Sequence, residues 1–150
     1  MRSAATGLIL VSFTLVLSAC LGMGDSGDGT GRSSAPSMAA VIDAMREQHL
    51  HVTHLERSPD RAPALGINLT GANFMVEGST TGGRVVVIEF GRMPGVRRIA
   101  ERLSIPSHGP SYVYRRGVVS GHLLIAEEAT TRRGRAIVYR AGRRVAATAD

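Results

Sequence analysis

Apolar residues recur along this chain in short periodic groups, separated by polar, glycine-rich or proline-bearing stretches. Met38, Val41, Ile42 and Met45 stand at i, i+3, i+4 and i+7, with Asp43, Arg46 and Glu47 opposite, which predicts an amphipathic helix. Ser37 suits its N-cap, and the helix should end near His49 or Leu50. Residues 51–63 are polar and hold two prolines, so a loop or short irregular strand is expected there. Residues 73–77 read as a strand, and 84–90, with four consecutive β-branched residues, give the strongest strand signal in the chain. The Gly/Ser/Thr cluster at 78–83 joins them as a hairpin.

Pro94 suits the first turn of a second helix, in which Val96, Ile99, Ala100 and Leu103 repeat the same spacing. Arg97, Arg98, Glu101 and Arg102 take its outer side. A short strand is possible at 111–115. Residues 118–127 and 135–141 read as a second hairpin, closed by 130–134. The expected class is therefore α+β. Two αββ-like units form a mainly antiparallel sheet, with helices packed on one face and the other face partly open.

The first residues behave differently. Arg2 precedes an apolar stretch of eleven residues, 7–17, broken only by Ser12 and Thr14. As a helix it would span about 16 Å, against about 30 Å for a bilayer core, so it reads as a signal-peptide segment and not a membrane span. Leu17, Ser18, Ala19 and Cys20 follow. These four residues resemble the lipobox of bacterial lipoproteins: an aliphatic residue, two small ones, then cysteine. The resemblance implies that Cys20 receives a diacylglyceryl group and becomes the mature N-terminus, with Leu17, Ser18 and Ala19 recognised for cleavage. Residues 21–37, rich in Gly, Ser and Asp, read as a flexible tether with a reach of about 20–25 Å. The expected organisation is a signal peptide at 1–19, the lipidated cysteine and tether at 20–37, one small domain at 38–142 and a frayed tail at 143–150.

Composition narrows the chemistry. Cys20 is the only cysteine, which excludes an intrachain disulfide and a thiolate zinc site. All 18 basic residues are arginine, a bias that codon usage in a GC-rich genome explains without a nucleic-acid partner. Their distribution is more telling. Residues 38–91 hold four arginines and six acids, whereas 92–150 hold twelve arginines and four acids. On a tethered protein such a basic half could face an anionic lipid or polymer surface, or simply be solvated.

Candidate catalytic groups are few. His49, His51 and His54 form an H-x-H-x-x-H cluster, the only metal-ligand candidate, but neither helix nor strand geometry would bring the three together. Ser104, Ser107 and His108 share a loop without an evident orienting acid. Glu127 and Glu128 are an adjacent acid pair, read as a solvated strand end. Gly82-Gly83 precedes a strand, whereas a phosphate-binding loop precedes a helix.

The segments 85–90, 94–103, 104–109 and 134–139 together resemble a loose group of small, uncharacterised bacterial envelope lipoproteins. That resemblance covers about 73–142 and transfers no catalytic residue; where the group has acids after its last strand, this chain has Arg143 and Arg144. The expectation is a lipid-anchored, extracytoplasmic, non-enzymatic interaction module without a cofactor. Its partners would be the membrane through its lipid, and an envelope protein or anionic surface, not nucleic acid. Protein docking is expected at the hairpin strands 84–90 or 135–141. The alternatives are a metal- or ligand-binding sensor using the histidines, or a hydrolase using Ser107 and His108.

Overall fold

A computed structural model describes residues 35–92, 95–105 and 113–150. The elements run α1 (Met38–Glu47), β1 (His51–Arg57), β2 (Arg61–Ala62), a 3₁₀ turn (Pro63–Leu65), β3 (Ile67–Asn68), β4 (Ala72–Thr80), β5 (Gly83–Phe90), α2 (Val96–Leu103), β6 (Tyr114–Ser120), β7 (Leu123–Ala129) and α3 (Arg132–Ala146). Five strands form one antiparallel sheet in the order β1-β4-β5-β7-β6, and β2 and β3 form a small separate pair. The α+β class and the antiparallel sheet are as the sequence pattern predicts.

Strand alternation divides the core in two. Phe74, Val76, Val85, Val87, Leu123 and Ile125 pack with α1 and α3. Met75, Val86, Ile88, Leu124 and Ala126 pack with α2 and with the arm made by β2, the 3₁₀ turn and β3. β5 is the central strand and is covered on both faces, which is why its apolar run is continuous instead of alternating.

Local chemistry fixes the helix ends. Ser37 Oγ accepts the Ala40 N–H at 3.2 Å and starts α1. Its other end closes through His49, whose φ of 60° puts it in the left-handed region. His49 N–H then donates to the Arg46 carbonyl at 2.9 Å, and Leu50 N–H to the Met45 carbonyl at 3.1 Å, the Schellman closure. Thr131 Oγ1 accepts the Gly134 N–H at 2.9 Å and starts α3.

Several element assignments differ from the sequence expectation, each for a physical reason. Residues 135–141 are helix, not strand. The run Ile137-Val138-Tyr139 imitates a strand, but the buried face of α3 is Gly134, Val138, Ala141, Gly142 and Val145, a helical spacing made mostly of small residues. The order of elements is thus not a repeated αββ unit. Residues 143–146 are not frayed, because α3 continues to Ala146 and Val145 is fully buried. Residues 118–127 are not one strand: Gly121-His122 turns the chain between β6 and β7. β1 is a full strand held by pairing with β4, although nearly all its side chains face solvent. The helices lie on both faces, α2 opposite α1 and α3.

Candidate functional site

The three histidines do not converge. His49 serves the α1 closure, His51 opens β1 with its side chain exposed, and His54 Nε2 lies 3.2 Å from Glu56 Oε2. Among the described residues no group of three or more His, Cys, Asp or Glu is placed to hold a metal. Ser104 closes α2 onto β6: its hydroxyl donates to the Ala100 carbonyl at 2.9 Å and accepts the Gly117 N–H at 2.8 Å. Cys20, Leu17, Ser18, Ala19, Ser107 and His108 lie outside the described residues. The two proposed docking strands are not edges. β5 is central, 135–141 is helical, and the sheet ends at β1 and β6.

The acid pair is the largest surprise. Glu127 and Glu128 are successive strand residues, so they point to opposite faces, and neither is a solvated strand end. Glu127 is only 2% exposed and lies under α3. Its Oε2 accepts the Tyr114 hydroxyl at 3.1 Å and stands 3.9 Å from Arg116 Nε. Its Oε1 has no hydrogen-bond partner among the described residues and lies against Gly142, where a Cβ would overlap it. Burial drives the Glu127 carboxyl above the usual carboxylate range, with Arg116 and the Tyr114 hydrogen bond opposing. Burial, reinforced by Glu127, raises the Tyr114 phenol as well. Above this pair, Arg116 stacks 4.7 Å over the Tyr139 ring and Arg135 4.5 Å over the Tyr114 ring.

Glu128 heads a row of charges on the other face. It stands directly between Arg84 on β5 and Arg115 on β6. Arg84 Nε donates to its Oε2 at 2.7 Å, and Arg115 Nε to its Oε1 at 3.1 Å. Glu77 extends the row onto β4, 3.9 Å from Arg84 Nη1. Arg84 Nη2 also donates to the Ala64 carbonyl at 3.3 Å, which ties the arm to the row.

Beside this row, between the arm and the sheet, opens a cleft of about 350 Å³. Met75, Val86, Ala62, Pro63 and Leu65 give it an apolar lining, and Thr53, His54 and Glu77 a polar rim. On the opposite side of the sheet, α3 carries six arginines and no acid. Arg144 pairs with Glu47 of α1 at 2.9 Å, whereas Arg132, Arg133 and Arg143 have no acidic partner among the described residues. Sequence spacing could have found this face, because its arginines sit between the small residues that touch the sheet. No family model, curated protein or solved structure matches the chain, so its own residues carry the functional reading.

Proposed function

We propose that the chain is a lipid-anchored, non-enzymatic interaction module of the cell envelope, which takes an apolar side chain of an envelope protein into the cleft between the arm and the sheet. The observation that carries the binding reading is that cleft, apolar within, rimmed by Thr53, His54 and Glu77, with a row of paired charges beside it. Interface hot spots have this form: a small apolar pocket enclosed by polar groups that exclude water and set orientation. The arm that forms one wall has a two-residue ladder of its own and is held to the sheet by the buried Ala62 and Leu69.

The address rests on Leu17-Ser18-Ala19-Cys20. Two acyl chains on Cys20 would hold the protein stably at a bilayer, since each buried methylene contributes about 0.8 kcal/mol. Among the described residues no helix is long and apolar enough to cross a membrane.

The test is a crosslinking capture from native membranes with a photo-reactive residue at His54, on the cleft rim. A defined protein should be recovered, and Ala64→Arg, which fills the mouth from an exposed position, should abolish its recovery. Recovery of the bait alone sinks the proposal.

A further inference from the structure

We infer that the outward face of α3 seats on the anionic headgroups of a phospholipid bilayer. The choice of surface rests on the anchored reading above; the arginine face itself rests on the fold. Arg132, Arg133, Arg140 and Arg143 lie along one exposed side of α3, over about 16 Å of helix, without an acidic residue between them. None of the four has an acidic partner among the described residues, and Arg140 Nε donates to the Ala136 carbonyl of its own helix. Four unpaired guanidinium groups on a convex helix crest match an extended sheet of negative charge better than a single buried ligand.

Two further features fit the same surface. Between the end of α1 and α3 runs a groove of about 530 Å³, lined by Arg133, Arg140, His49, Thr80 and Ile137 among others, with room for headgroup atoms. Glu47, the acid at its edge, is engaged by Arg144. At the β6 shoulder, Tyr139 is 39% exposed and lies under Arg116, an aromatic ring of the kind found at the membrane–water interface. The expected tether of residues 21–37, with a reach of about 20–25 Å, would keep the domain near the headgroups. With α3 on the headgroups, the cleft on the other face of the sheet opens away from the membrane.

The experiment is co-sedimentation of residues 20–150 carrying Cys20→Ala with phosphatidylcholine vesicles, with and without phosphatidylglycerol. This chain keeps the whole compact unit Arg32–Asp150 and needs no lipid of its own. It should bind only the anionic vesicles and be released by high salt. Replacing Arg132, Arg133, Arg140 and Arg143 by Gln should weaken binding by about fivefold per residue. Replacing Arg97, Arg98 and Arg102 of α2 by Gln removes charge from the other face and should leave binding within about twofold, given screening over that distance. Equal losses from the two variants, binding to uncharged vesicles, or no binding at all would each overturn the inference. Failure of the anchored reading would appear elsewhere, as an unlipidated Cys20 in the intact mass of membrane-derived protein, and would leave the vesicle result standing.

Discussion

The two faces of the sheet are cut from alternate residues of the same strands, yet they are finished differently. Under α1 and α3 the layer is closed. Gly134 and Gly142 bring α3 so near that a Cβ on either would overlap the Gly82 carbonyl or the Glu127 carboxylate. Under α2 and the arm the cover is short and divided, and a cleft remains. The closed face hides a carboxylate beneath a helix that turns its arginines outward. The open face sets its charges in a row beside the cleft and leaves apolar surface accessible within it. Close packing against the sheet and the apolar cleft are thus kept on opposite faces by strand alternation.

The largest test of this contrast is truncation on each side. Ile125→Ala, in the closed core, should cost about 3 kcal/mol in chemical unfolding, against about 1 kcal/mol for the half-buried Leu65→Ala in the arm. Equal costs would erase the distinction. Gly142→Ala comes next, and its sign is informative. Helix propensity alone would make alanine about 1 kcal/mol more stable. Overlap with Glu127 Oε1 should reverse that into a loss of about 2 kcal/mol, seen as a lower unfolding midpoint.

Glu127 sharpens the comparison through pH. Its folded carboxyl titrates above the unfolded one, so the folded chain holds the proton longer. Its contribution to stability is therefore fully present below the ordinary carboxylate range and is lost as pH rises through the raised folded value. Glu127→Gln cannot ionise. The wild type should lose stability relative to this variant as pH rises above the ordinary carboxylate range, measured by parallel urea titrations. A constant difference would mean that Arg116 fully compensates the burial. The smallest effect belongs to the charge row. Glu128→Gln should cost about 0.5–1 kcal/mol, shrinking with added salt, because its partners are partly exposed.

Much of the fold was legible where one physical signal dominated. α1 and α2 announced themselves through apolar spacing, and β4 and β5 through β-branched residues around a glycine turn. α3 imitates a strand because three of the five residues on its contact face are glycine or alanine, which carry little hydrophobic signal but allow close approach. β1 was obscured because it is defined by backbone pairing to β4 and buries almost nothing. Of the site, the Glu127–Glu128 pair was visible but its division was not. Ile125 and Ala129, two residues either side of Glu127, were the available sign that it points inward. The cleft had no sequence signature, since residues distant in the chain line it. The histidines drew attention by composition, whereas His49 has a backbone role that only its left-handed conformation reveals.

The central claim is that the α3 face meets the membrane while the cleft faces away. The expected use of Cys20 for lipid leaves any introduced cysteine as the only free thiol. A polarity-sensitive dye can therefore be placed at Ala136→Cys, on the exposed side of α3, or at Ala64→Cys, at the cleft mouth. In the lipidated protein on vesicles containing phosphatidylglycerol, the dye at 136 should shift to shorter wavelength and the dye at 64 should not. A shift at 64, or at neither position, would contradict the account.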